Sequence, residues 1–357
     1  MLFEPFDARS LHLKNRMVMA PMTRSRAPGN IPNALMAEYY GQRATAGLII
    51  TEGTSPSPNG LGYARIPGLY DDAQVAGWKQ CTQAIHVAGG KVFVQLMHTG
   101  RVTHVANLPA GAEVLGPGTV ACPGKMFTDS AGMQPHSPPR AMTDADIALA
   151  IGEYAQSARL ALEAGFDGVE LHGANGYLIE QFLNPLVNLR TDGYGGSSEN
   201  RNRFALEVAR ATVAAIGADR VGIRLSPYGV FNGTGEFPEV EAQFLALAAA
   251  VSELGLLYIH LVDHSAMGAP PLPAGFKVRM RAAFNGLFIL SGGFNHGSAE
   301  TALADERADL VAFGRPFLAN PDLVSRMEED APFNVPDMAT FYLPGPKGYT
   351  DYPLRAG

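Results

Sequence analysis

The chain has 357 residues, 46% apolar and 17% charged, a balance that excludes a mostly disordered protein and can fill a large core. Its formal charge of −7, with Lys and Arg scattered along the chain, offers a polyanion a mildly repulsive field and argues against nucleic acid as a partner. Two cysteines, Cys81 and Cys122, give neither a disulfide framework nor a four-ligand zinc site, which suits a reducing compartment. The opening MLFEPFDARS lacks the regions of a signal peptide, and the longest apolar run, LALAAAVSELGLL at 245–257, carries Glu253. The expectation is a soluble cytoplasmic protein with no membrane partner, a monomer or small homo-oligomer.

Short runs rich in Val, Ile, Leu and Phe recur along the chain, each followed by a turn signal and a longer helix-like stretch. Eight can be counted: RMVMAPM (16–22), GLIITEG (47–53), KVFVQLMH (91–98), GVELHG (168–173), RVGIRLS (220–226), LYIHLVD (257–263), LFILSGG (287–293) and LVAFGR (310–315). Eight strand-helix units in succession predict a (β/α)8 TIM barrel, one α/β domain over 1–357. Between the third and fourth runs, Thr143 is placed to cap a helix and Gly165 to stop it. The rival, a doubly wound open sheet, lacks its G-x-G-x-x-G after the first run, and no G-x-x-x-x-G-K-[ST] occurs. Residues 101–142, rich in Pro and Gly, are too long for an ordinary loop and predict a lid or capping excursion after strand 3. The tail FYLPGPKGYTDYPLRAG reads as irregular structure that covers one barrel end or hangs free.

In such a barrel, chemistry gathers at the C-terminal strand ends, here Thr23, Gly53, Gln95, His98, His172, Asn175, Tyr177, Arg224, Asp263, His264, Gly292, Gly293, Gly314 and Arg315. No lysine is among them, which weighs against a Schiff-base aldolase. Gly292 and Gly293 allow close approach of backbone to a ligand and Arg315 adds a planar fork, together a phosphate site; otherwise the glycines only turn the chain and Arg315 pairs with a surface carboxylate. Arg224 and Gln95 can read the polar edge of a heterocycle, or form an internal ion pair and a capped carbonyl. His172 and Asn175, three residues apart, can converge on one oxygen atom, or satisfy loop carbonyls. Tyr177 holds a proton at neutral pH that it can give away, though a tyrosine there can equally be packing. The pairs His260/His264 and His98/His104 lack carboxylate or cysteine partners, so no metal is expected, and His260 reads as a core or helix-facing residue.

The block HGANGYLIEQFLNPLVNLRTDGYGGSSENRNRF, with APMTR (20–24), VQLMHTGR (94–101), RLSP (224–227) and VAFGRPFLANPDLV (311–324), closely resembles the Old Yellow Enzyme family of flavin-dependent ene-reductases, most of all its bacterial N-ethylmaleimide and nitrate-ester reductase branch. The resemblance implies FMN across the barrel mouth, against Pro21, Met22, Thr23 and Gly53. Its phosphate would lie on Gly292, Gly293, Gly314 and Arg315, its pyrimidine edge on Gln95 and Arg224, and the Thr23 hydroxyl beside N5. It further implies that His172 and Asn175 grip the carbonyl or nitro oxygen of an activated alkene, that hydride passes from the flavin to the β-carbon, and that Tyr177 protonates the α-carbon. NADPH or NADH would use the same pocket in turn. Tyr63, Met97 and Tyr342 would line the substrate space. Met97 stands where relatives of this branch commonly have tryptophan, which implies a wider pocket, and Asn175 stands where some have a second histidine.

Two classes of function follow. One is an NAD(P)H:FMN oxidoreductase acting on enones, maleimides and nitro compounds, with nitrate esters and nitroaromatics as further candidates. The other is an isomerase or lyase on a phosphorylated metabolite, with His172 and Tyr177 as acid and base. A flavin-binding barrel without turnover is the weakest reading, because proton donor and oxyanion pair are both present.

Overall fold

The computed structural model describes residues 1–355; Ala356 and Gly357, the last two of the tail, lie outside them. Eight parallel strands close into a barrel: β1 (Met17–Met19), β2 (Leu48–Ile50), β3 (Val92–Leu96), β4 (Gly168–Gly173), β5 (Val221–Leu225), β6 (Tyr258–Val262), β7 (Leu287–Ser291) and β8 (Leu310–Phe313). They pair in chain order, and β8 closes on β1 through Val311 opposite Met17. All eight coincide with the runs read from sequence, so the (β/α)8 barrel is the observed architecture. Most strands stop short of their runs because the trailing residues leave the ladder: Pro21 has no N–H to donate, and Gly292 (φ +131) and Gly293 (φ +69) turn the chain where a side chain would strain it.

The helices are α1 (Ala34–Gln42), α2 (Asp72–Val87), α3 (Asp144–Glu163), α4 (Leu178–Leu183), α5 (Ser198–Ile216), α6 (Val240–Glu253), α7 (Phe276–Ala282), α8 (His296–Ala304), α9 (Arg315–Ala319) and α10 (Leu323–Glu328). Thr143 caps α3 in a reciprocal box with Asp146, and Gly165 lies just beyond its end at φ +89. No helix among the described residues is long and apolar enough to cross a membrane.

Because side chains alternate across a strand, one set points between strands and helices and the other into the barrel. Met17, Ile49, Val94, Leu171 and Ile223 belong to the large outer cluster. Val18, Leu48, Ile50, Phe93, Tyr258, Ile289, Leu310 and Ala312 form a second cluster, sealed by Leu11 and Leu13. These two come from a hairpin, Phe6–Ala8 with Leu11–Leu13, whose strands are too short to show a period in the sequence.

Residues 101–142 carry an antiparallel hairpin, Lys125–Thr128 with Gly132–Pro135, and a short parallel pair, Leu115–Gly116 with Arg140–Ala141. The tail does not hang free. Tyr349 is buried and stacks on Tyr39 at 4.0 Å, while the buried Arg24, Arg26 and Arg43 donate to the carbonyls of Thr340, Phe341, Gly348 and Tyr349. Three guanidiniums can stay buried here because the tail backbone satisfies them.

Candidate active site

A cavity of about 850 Å³ opens at the C-terminal ends of the strands. Pro21, Met22 and Thr23 follow β1, Gln95 and Met97 come from the end of β3, His172, Asn175 and Tyr177 from β4 and beyond, and Arg224 from β5. Gly292 and Gly293 follow β7, Gly314 and Arg315 follow β8, Tyr63 comes from the loop after β2, and Tyr342 from the tail. The strand-end residues read from sequence meet there with two exceptions, His98 and Gly53. His98 turns to its own loop, and a Cβ on Gly53 would sit 2.5 Å from Met97 Sδ, so the glycine makes room for Met97 instead of facing a ligand.

The turn after β4 brings Asn175 and Tyr177 to the cavity and is held from outside. Asn175 has φ +60 and Gly176 φ +76, and a Cβ on Gly176 would lie 2.6 Å from the Phe231 carbonyl oxygen. Asparagine tolerates that left-handed backbone better than most residues. The Gly176 N–H donates to Glu180 Oε2 at 2.5 Å, and the Ser226 hydroxyl donates to Glu180 Oε1 at 2.8 Å. The Asn175 N–H donates to Ser226 Oγ at 2.9 Å. Asn232 Nδ2 donates to the Asn175 carbonyl at 2.7 Å, and Gln181 Nε2 to that of Gly176 at 2.8 Å.

With the backbone satisfied, side-chain atoms facing this region are left over. His172 Nδ1, Asn175 Oδ1 and Arg224 Nε are buried without a partner among the described residues. Such atoms cost stability unless a ligand completes them. Burial, reinforced by Arg224, His260 and His264, drives the His172 imidazole well below its ordinary pKa, so it is neutral and can donate from one nitrogen. Burial pushes the Tyr177 phenol up to about 12, so it carries its proton throughout the neutral range. Its ring stands edge-on to His172 with centroids 4.9 Å apart.

Beneath the cavity floor lies a polar chain that is complete. Gln95 Nε2 donates to Glu170 Oε1 at 2.8 Å, Glu170 Oε2 meets His260 Nδ1 at 2.9 Å, and His260 Nε2 meets Ser291 Oγ at 3.1 Å. His260 is thus a core residue facing the barrel interior, not a helix. His98 Nδ1 accepts the Gly100 N–H and His104 caps the turn Val105–Asn107, so each serves its own loop. Sequence reasoning missed Glu170, Glu180 and Ser226. Glu170 lies in a continuously buried run whose inward face leaves no alternation to read, and only the partners of Glu180 and Ser226 reveal their use.

The donor set fits FMN. Arg224 offers an unpartnered N–H beside Gln95 at the floor, and Arg315, exposed at the start of α9 with no ion pair among the described residues, lines the same cavity as Gly293 and Gly314. A flat heterocycle with a phosphate would satisfy both ends.

The comparisons assign this barrel and its mouth to the flavin-dependent NAD(P)H oxidoreductases. The chain belongs to the NADH:flavin oxidoreductase / NADH oxidase family, whose model matches residues 1–334. It is 44% identical to 12-oxophytodienoate reductase 1 of Oryza sativa subsp. japonica over 99% of this chain and 93% of that protein. The structure of morphinone reductase in complex with tetrahydroNAD superposes with a TM-score of 0.94 at 44% identity, over 99% of this chain and 98% of that one. The Old Yellow Enzyme homologue from Zymomonas mobilis superposes with a TM-score of 0.95 at 39% identity, over 99% of both chains. The resemblance to the Old Yellow Enzyme family therefore holds along nearly the whole chain.

Proposed function

We propose that this enzyme reduces C=C bonds activated by a carbonyl or nitro group, using NADPH or NADH in a ping-pong cycle in which donor and acceptor occupy one pocket in turn. The single observation that carries this reading is that His172, Asn175 and the protonated Tyr177 line one cavity at the barrel mouth. The relatives named for morphinone and 12-oxophytodienoate, both unsaturated ketones, support it.

The chemistry supplied by bound FMN is hydride acceptance from the nicotinamide and hydride delivery to the β-carbon of the alkene. Arg224 and Gln95 would hold its pyrimidine edge, Thr23 the region beside N5, Pro21 and Met22 its flank, and Gly292, Gly293, Gly314 and Arg315 its phosphate. His172 and Asn175 donate to the substrate oxygen and stabilise the charge that develops on it. Tyr177 gives its proton to the α-carbon. Tyr63, Met97 and Tyr342 shape the space around the substrate, and Met97, a flexible thioether, leaves room for bulky enones and maleimides. Nitroaromatics and nitrate esters present a comparable oxygen to the same pair.

The protein as purified with FMN should bleach anaerobically on adding NAD(P)H and recover its colour with cyclohexenone; a preparation that takes up no FMN overturns the reading. Tyr177→Phe should slow flavin reoxidation by the enone on the order of 10²- to 10⁴-fold, the range of general acid catalysis, and leave reduction by NAD(P)H nearly intact. His172→Ala should weaken the binding of phenols, whose oxygen mimics that of the enolate.

A further inference from the structure

We propose that Tyr63 is a positioning residue for the proton transfer: its hydroxyl donates to the Tyr177 oxygen 3.0 Å away, keeps the Tyr177 proton turned toward the substrate, and stabilises the phenolate that Tyr177 becomes. The inference rests on Tyr177 being the proton donor and gives Tyr63 a role other than lining the pocket.

Two hydroxyls at this separation share one hydrogen between them and leave the other free. Neither phenol has another hydrogen-bond partner among the described residues. If Tyr177 filled the gap, its proton would point at Tyr63 and away from the cavity. If Tyr63 fills it, the Tyr177 proton is free to reach a carbon, and the Tyr63 proton sits where charge will appear. As the Tyr177 O–H bond breaks and the α-carbon–hydrogen bond forms, the electron pair stays on the Tyr177 oxygen. The Tyr63 hydrogen bond then changes from neutral to charge-assisted, and it strengthens along the reaction coordinate.

The surroundings make this contact matter. Tyr177 packs in a cluster with Leu61, Ile66, Met97, Val102 and Cys122, an apolar nest in which a phenolate without a donor would be costly. Burial pushes the Tyr177 phenol upward while the hydrogen bond from Tyr63 acts in the opposite direction, toward a stronger acid. The rings meet edge to face at 89°, an arrangement that brings the hydroxyls together without stacking.

Tyr63 is also held on both flanks. A Cβ on Gly62 would lie 2.4 Å from Thr99 Oγ1, so the loop presses against Thr99 as only glycine allows, and Asn107 Nδ2 of the excursion donates to the Gly62 carbonyl at 2.9 Å. Two residues on, Arg65 donates to the carbonyls of Ser25 and Tyr342 and pairs with Asp129 at the tip of the excursion hairpin.

The test compares Tyr63→Phe, Tyr177→Phe and the double variant in anaerobic stopped flow, each loaded with FMN and reduced by NAD(P)H, then mixed with cyclohexenone over a range of concentrations. Phenylalanine keeps the ring, and melting temperature and FMN affinity report on folding. Tyr63→Phe should lower the limiting reoxidation rate about 10- to 100-fold, as expected for losing a hydrogen bond to a charged group. The half-saturating cyclohexenone concentration, the reductive half-reaction and phenol affinity should be unchanged. In the Tyr177→Phe background the second substitution should add nothing. Fluorotyrosine incorporated at position 177, a stronger acid, should recover the rate lost in Tyr63→Phe. If Tyr177→Phe is slow but Tyr63→Phe is normal, raises only the half-saturating concentration, or multiplies independently with Tyr177→Phe, the inference is overturned and the proton-donor reading stands. If Tyr177→Phe itself is normal, both fall.

Discussion

The two ends of the barrel interior are built by the same alternation of side chains and differ in how many polar atoms they hold. At the N-terminal end, Phe93, Ile50 and Ile289 close a plug under the hairpin that is apolar apart from the buried, unpartnered Tyr258 hydroxyl. At the C-terminal end, His172, Asn175 and Arg224 keep buried polar atoms unpartnered, and between the two lies the completed chain Gln95–Glu170–His260–Ser291. Stability is thus concentrated below and ligand affinity above. The middle layer separates the two: Glu170 and His260 are satisfied inside the protein, while Gln95 gives one N–H to Glu170 and still lines the cavity.

That division can be broken by substitution at either end. Phe93→Ala, at a fully buried site against β4, should cost about 3–5 kcal/mol of stability in chemical denaturation with FMN affinity unchanged in the folded fraction. Arg224→Met should do the reverse. Flavin titration should show roughly 10- to 100-fold weaker FMN binding, from loss of a hydrogen bond to a charged group, while the FMN-free protein melts no lower than the parent, because a buried unpartnered guanidinium has been removed. A loss of FMN-free stability in this variant would show that Arg224 belongs to the stabilising half.

Glu180 sharpens the comparison because it serves the mouth from inside the fold. Glu180→Ala should cost about 1–3 kcal/mol by orphaning the Gly176 N–H and the Ser226 hydroxyl, and should slow alkene reduction by loosening Asn175. Glu180→Gln, which keeps an acceptor, should retain most of the activity. Burial raises the Glu180 carboxyl from 4.5 to about 8 and that of Glu52 to about 7. Both contributions are therefore fully present below about pH 4.5 and lost as the pH rises through 7 to 8, because ionising them in the fold is costlier than in the unfolded chain. A melting series should fall across that window, and in Glu180→Gln it should fall less, with only the Glu52 part remaining.

The smallest expected effect is an absence of one. The imidazole of His172 lies well below 6.5 and the phenol of Tyr177 near 12, so the alkene half-reaction should vary little between pH 6 and 9. A limb near pH 6.5 in stopped flow would mean that His172 titrates in the working enzyme.

Much of this was legible in residue order. Eight apolar runs match eight strands, and the residues at their ends, from Thr23 to Arg315 and apart from Gly53 and His98, meet at one cavity. What could not be read were facts of partnership. Gly53 sits at a strand end like the others, yet its Cα faces Met97, since which neighbour a glycine admits depends on the side chain presented by the adjacent strand. The same holds for Glu170, one residue among six buried in β4, and for the cationic clasp of Arg24, Arg26 and Arg43 on the tail.

By itself the sequence determined the repeated strand-helix unit and the chemical types delivered to each strand end, because hydrophobic periodicity and turn residues act over a few neighbours along the chain. Only the tertiary structure decided which polar groups are spent inside the fold and which remain for a ligand. That distinction depends on atoms brought within about 3 Å of each other by barrel closure, as the Gly176 N–H and Ser226 hydroxyl meet Glu180 while His172 Nδ1 meets nothing.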